Sequence, residues 1–178
     1  MRIFIAIELP AEIKQNLIKI QSSFLDIKAR WVKPEHMHLT LVFLGEIEEK
    51  KLIEIEQVCH QAAKNFNKFN IEFSGLGAFP NFGQPHTLWV GIKKSPVLQN
   101  LQQQISAGLI QKGFKIEKRP FQPHLTLARL KKQQDLTAII SKFKQPEFGK
   151  FQVSEFNIFA SQLFSEGPKH QMIKKFNI

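Results

Sequence analysis

One motif occurs twice in this 178-residue chain, and any fold must house both copies. His38-Leu39-Thr40-Leu41 and His124-Leu125-Thr126-Leu127 are identical, and Lys33-Pro34 and Arg119-Pro120 precede them at the same distance. A pattern of the form basic-Pro-x-x-x-His-Leu-Thr-Leu is too long to repeat by chance, so duplication or convergent use of one half-unit is the better reading. The tetrapeptide is β-like, and side chains alternate faces along a strand. His38 and Thr40 therefore share one face while Leu39 and Leu41 point into the core, and His124 and Thr126 repeat the arrangement. If the copies sit in pseudo-symmetric halves, two imidazoles and two hydroxyls converge on one cleft. That constellation suits a phosphate ester, because each hydroxyl can bond a phosphoryl oxygen while the imidazoles move protons on opposite sides. One His-x-Thr alone carries little weight, since a strand histidine is more often structural. The second copy, in matching context, reverses that balance.

The rest of the chain alternates strand-like and helix-like stretches. Residues 3–7 are uniformly apolar and suit a strand buried on both faces. Residues 11–25 carry Ile13, Leu17, Ile20 and Phe24 at helical spacing after Pro10. Residues 31–34 read as a connector, 38–44 as a strand ended by Gly45, and 48–66 as an amphipathic helix. Strands follow at 69–79 and 87–92, divided by turn-forming residues. A helix at 95–112 has Ser95 as N-cap, Pro96 at its first position and Gly113 past its end. A strand at 124–130, a short helix at 134–143 and closing strands at 148–164 and 172–178 complete the series. Adjacent strand pairs inside this alternation predict an α+β fold. Two pseudo-symmetric lobes are expected, each an antiparallel sheet with flanking helices, around a central cleft. With no Pro- or Gly-rich linker in sight, residues 1–178 read as one bilobal domain.

Charge bears on what enters the cleft. Lys and Arg number 25 against 15 Asp and Glu, a net charge of +10, and such a field draws polyanions, most commonly nucleic acid. With 17 Phe, two Trp and no Tyr, base stacking would fall to Phe or Trp. The lone Cys59 excludes a disulfide scaffold or a multi-Cys zinc site, and a reducing cytoplasm is the expected location. No apolar run approaches the roughly 18 residues of a membrane helix, so no membrane partner is expected. The short apolar run ended by Glu8 is not a signal peptide.

The paired motifs resemble those of the 2H phosphoesterase superfamily, which has two His-x-Thr/Ser motifs on pseudo-symmetric lobes. Within it the chain is similar to bacterial and archaeal RNA 2′,3′-cyclic phosphodiesterases, formerly called 2′-5′ RNA ligases. The resemblance rests on Met1-Arg2-Ile3-Phe4-Ile5-Ala6-Ile7, on the first motif continued through Val42-Phe43-Leu44-Gly45, and on residues 119–129. It also includes Ser161-Gln162-Leu163 followed by Gly167-Pro168. It implies that His38 is the proton donor, that His124 is the proton acceptor, and that Thr40 and Thr126 hold the phosphate. The implied partner is RNA with 2′,3′-cyclic phosphate ends, or a cyclic nucleotide, with a 2′-phosphate as product and no cofactor. A monomer is expected. Arg129 stands where the second motif often carries a basic residue. Simple alternation turns it away from Thr126, so it reaches the phosphate only if the strand ends or bulges there. His170 departs from the family, in which a Tyr commonly follows the tail glycine.

Other residues compete for roles. His36 and His38 have metal-ligand spacing, with His124 a third candidate, yet no carboxylate cluster accompanies them and no metal is expected. His60 and His86 read as bland, and Lys131-Lys132 fits a phosphate guide or a solvated strand end equally. Trp31, Phe43 and Phe121 lie near the motifs. Alternation sends Phe43 to the core and leaves Trp31 as the best stacking candidate. Three functions follow: hydrolysis of a cyclic phosphate end, the reverse joining of RNA ends through a 2′-5′ bond, and a non-catalytic RNA-binding module. Two intact His-Thr pairs count against the module, because Lys or Arg alone would hold phosphate.

Overall fold

The computed structural model describes residues 1–24, 26–132, 134–143, 148–164 and 167–178. Among them the elements run β1 (Arg2–Glu8), α1 (Ala11–Ser22), β2 (Ala29–Trp31), β3 (His38–Glu46), α2 (Leu52–Ala63), β4 (Phe69–Phe79) and β5 (Thr87–Ile92). The series continues with α3 (Pro96–Gln111), β6 (His124–Leu130), α4 (Thr137–Lys142), β7 (Lys150–Val153), β8 (Glu155–Phe164) and β9 (Gly167–Asn177). Single 3₁₀ turns lie at Pro34–His36 and Glu49–Lys51.

Most boundaries follow the sequence signals, and the departures have local causes. Helix α1 ends at Ser22, where the hydroxyls of Ser22 and Ser23 bond back to the carbonyls of Ile18 and Lys19. The expected end of that helix, Leu25, lies outside the described residues. The connector at 31–34 is partly strand, because Ala29–Trp31 pairs with β6. The helix expected at 48–66 narrows to a 3₁₀ turn followed by α2. The helix expected at 134–143 narrows to α4, with the Asp135 carboxylate accepting from the Thr137 amide at 2.8 Å. Strand β3 continues past Gly45, which stays in the ladder at φ 72°, a conformation other residues rarely adopt. The strand expected at 148–164 breaks at Ser154, where the chain passes from one sheet to the other. Helix α3 matches its signals: the Ser95 hydroxyl accepts from the Leu98 amide at 3.3 Å, and Gly113 turns the chain at φ 83°.

The strands form two antiparallel sheets, ordered β3-β1-β8-β9 and β2-β6-β5-β4-β7. The units β1-α1-β3-α2 and β5-α3-β6-α4 correspond, and in each the motif strand lies beside the first strand of its own unit. The strands that follow trade places. β4 leaves the first unit to pair with β5, and β8 leaves the second to pair with β1. The expected α+β fold of two pseudo-symmetric lobes is the fold observed. One continuous cluster of buried side chains joins both sheets to α1, α2 and α3, with Ile3, Ile5, Leu39, Leu41, Leu125 and Leu127 within it. All six are at most 3% exposed, and each stabilises the fold by roughly 1.5–3 kcal/mol. No helix among the described residues is long and apolar enough to cross a membrane.

Candidate active site

Each motif strand carries a bulge just past its threonine. On β3, Ala6 opposes Thr40 and Ile5 opposes Val42, so Leu41 is an extra residue. On β6, Trp89 opposes Thr126 and Leu88 opposes Ala128, so Leu127 is extra. Two consecutive side chains then enter the core in each copy, Leu41 with Val42 and Leu127 with Ala128, all 3% exposed or less. Beyond that point the alternation is reversed. Arg129 consequently rejoins the face of His124 and Thr126, which meets the condition set from the sequence. Phe43 is corrected by the same device. Expected in the core, it is 45% exposed on the face of His38 and Thr40.

The two faces meet across a cavity of about 400 Å³. His38, Thr40 and Phe43 line one side, His124, Thr126 and Arg129 the other, and Arg2, Phe4, Val32, His36, Ser161 and His170 complete the wall. Every proposed site residue is therefore gathered in one place. Trp31 is not part of this wall; pairing of β2 with β6 turns it against the core, half-buried, and brings Val32 to the cleft instead. Phe121 borders a neighbouring groove. His60, His86, Lys131 and Lys132 are exposed and outside the cleft wall.

The ring of His124 is fixed by its backbone. Its Nδ1 lies 2.8 Å from the carbonyl of Gln122, and since a carbonyl only accepts, Nδ1 carries the proton and Nε2 is left for the cleft. His38 also has a hydrogen bond to the backbone of His36. Aromatic rings back both imidazoles. His38 stacks on Phe4 at 4.7 Å, and Phe4 stacks on Phe159 at 5.2 Å. His124 stands edge-on to Phe79 at 5.0 Å and tilts over Trp89 at 5.9 Å. Trp89 in turn lies against Gly77, where a Cβ would sit 2.1 Å from the indole.

The electrostatics of the two sides differ. Burial, then the neighbouring His170 and His36, lowers the pKa of His38 from 6.5 to about 4, against the opposing backbone hydrogen bond. His170 stands edge-on to His38 at 5.3 Å and to His36 at 5.0 Å, and its own pKa is lowered by burial and by His36. The Nδ1 atoms of His36 and His170 are buried without a hydrogen-bond partner. Among the described residues no three His, Cys, Asp or Glu side chains are arranged to hold a metal ion. Sequence reasoning overlooked Arg2, whose guanidinium lies 5.0 Å above the Phe43 ring. The period of two along Arg2-Ile3-Phe4 would have revealed it, had β1 not been read as buried on both faces. It also left aside His170, which sits inside the cleft.

Two imidazoles facing one cleft, with hydroxyls and guanidinium groups among its lining side chains, form a space chemically suited to a phosphate ester. A sequence model of the 2′-5′ RNA ligase superfamily matches residues 10–162. The chain is 35% identical to an RNA 2′,3′-cyclic phosphodiesterase of Archaeoglobus fulgidus over 99% of both chains. Its fold matches the crystal structure of TT0787 of Thermus thermophilus with a TM-score of 0.88 at 29% identity, covering 99% of this chain and 97% of that one. E. coli LigT complexed with 3′-AMP matches with a TM-score of 0.83 at 27% identity, with the same coverage. The chain belongs to the 2′-5′ RNA ligase superfamily.

Proposed function

We propose that the protein hydrolyses 2′,3′-cyclic phosphates at RNA ends and leaves a 2′-phosphate, with His38 as proton donor and His124 as proton acceptor. The observation that carries this reading is the pair of backbone-anchored imidazoles lining one cavity, each two residues from a threonine. A water between His124 and phosphorus gives its proton to Nε2 of His124 as its oxygen bonds to phosphorus. The bond from phosphorus to O3′ breaks on the opposite side, and O3′ takes the proton from Nε2 of His38. In-line displacement needs acid and base on opposite sides, and the facing strands supply them. Thr40 and Thr126 donate to the non-bridging oxygens while Arg129 offsets their charge. The imidazoles provide both proton transfers, so no cofactor is called for. The +10 charge draws the polyanionic substrate in.

The test separates the two histidines. His38→Ala and His124→Ala should each lower kcat roughly 10²–10⁴-fold on a cyclic phosphate substrate. An aryl phosphodiester whose leaving group needs no protonation should restore His38→Ala and leave His124→Ala impaired. Rescue of His124→Ala alone would exchange the roles, and full activity in both variants would make the motifs structural.

A further inference from the structure

A second groove, of about 350 Å³, opens beside the cleft and shares Thr40, Phe43 and His124 with it. Its outer wall is Arg119, Pro120, Phe121 and Gln122, the segment that leads into the second motif. The corresponding segment of the first motif ends at His36 and borders the cleft itself. The two copies of one leader thus wall two adjoining spaces, and the reaction described above uses only one of them.

We propose that this groove binds the penultimate nucleotide, the one before the nucleotide that bears the cyclic phosphate, so that the protein favours RNA chains over cyclic mononucleotides. The inference rests on the cleft being the site of cyclic phosphate hydrolysis. The RNA chain leaves the reacting end through the 5′-oxygen of the terminal ribose, and the groove, which shares Thr40, Phe43 and His124 with the cleft, lies next to that ribose to receive it. Phe43, Phe79 and Phe121 offer it aromatic surface, and a base of any identity can stack there. The amide side chains of Gln102 and Gln122 present donors and acceptors for a base edge. At the rim, Arg119 is 87% exposed and pairs with Glu117 at 2.9 Å. An exposed pair of this kind stabilises little, so a phosphate can take over the guanidinium, for which it is a better-matched partner. Lys115 and Lys118 stand close to Arg119 in the sequence, so the segment leading into the groove wall carries more positive than negative charge, which favours a nucleic-acid chain over an apolar ligand.

The test compares 2′,3′-cyclic AMP with a dinucleotide ending in the same cyclic adenylate. Wild-type protein should show a kcat/KM about 5- to 150-fold higher for the dinucleotide, the worth of one stacked base. Phe121→Ala should remove most of that preference and leave cyclic AMP hydrolysis unchanged. Arg119→Glu alters a fully solvated side chain, so it folds even if Phe121→Ala does not, and it should raise KM for the dinucleotide only. A preference lost in either variant supports the groove. Equal wild-type values for the two substrates, a preference untouched by both variants, or equal losses on both substrates would overturn it. Failure of the wild type to cleave either compound removes the reading of the cleft as well, whereas cleavage of both at equal efficiency removes the groove alone.

Discussion

Sulfate binding should tighten as pH falls, by an amount the cleft sets. His38, with its pKa lowered to about 4, is charged in only about one molecule in a thousand at pH 7. A proton donor must be charged once substrate is in place, so the substrate's own anion has to restore the proton. An anion about 4 Å from Nε2, at an effective dielectric of about 20, supplies about 4 kcal/mol. That is about three pKa units, enough to bring His38 back to about 7. Binding an anion of fixed charge should therefore take up close to one proton around pH 6, and affinity should rise up to about tenfold per pH unit between 7 and 5. Sulfate is the suitable probe because its charge is constant over that range. Calorimetric titration in buffers of different ionisation enthalpy counts the protons. His36, His170, Arg2, His124 and Arg129 also line this space and Lys14 acts on His38 by its charge, so the difference between wild type and His38→Gln isolates the one group. Equal proton uptake in the two proteins would show that the anion does not recharge His38, and the donor role would pass to another imidazole.

Stability should fall with acid. Since the pKa of His38 is lowered from 6.5 to about 4 in the folded chain, the unfolded chain binds the extra proton between these values. Stability present above pH 6.5 is thus lost as pH drops through the window, by up to about 3 kcal/mol, and the lowered pKa of His170 acts in the same direction. Urea midpoints between pH 7.5 and 4.5 measure this, and a slope no shallower in His38→Gln would contradict it. Gly77→Ala places a Cβ 2.1 Å from the Trp89 ring, so the indole behind His124 must move. A loss of about 1–3 kcal/mol, with a lower kcat, is expected; an unchanged melting temperature would show that the indole is not held by this contact.

The repeat made the site legible because both copies carry their chemistry on a strand, where a period of two assigns faces without any tertiary information. It gave His38, Thr40, His124 and Thr126 their common cleft. It failed at Phe43 because a bulge is a property of two strands in register, and Leu41 becomes surplus only when Ala6 and Ile5 are laid opposite it. Arg129 was open for the same reason, since Leu127 is surplus only against Trp89 and Leu88. Trp31 was misjudged because β2 has only three residues and takes its orientation from β6. His170 was noticed as a departure from the family, but its distance in sequence from His36 and His38 hid their meeting. That meeting arises where β9 joins the sheet through β8 and β1, a connection no local pattern encodes.

Proteins built of two lobes often open and shut about a few backbone torsions, and their active sites come into being only on closure. The core shared by both sheets works against such opening in this fold. Spreading the two sheets would open the continuous cluster of buried side chains that joins both of them to α1, α2 and α3. The separation of His38, on one sheet, from His124, on the other, is accordingly set by how that core packs. A substitution deep in that core, far from any substrate, then alters the gap a substrate has to fit.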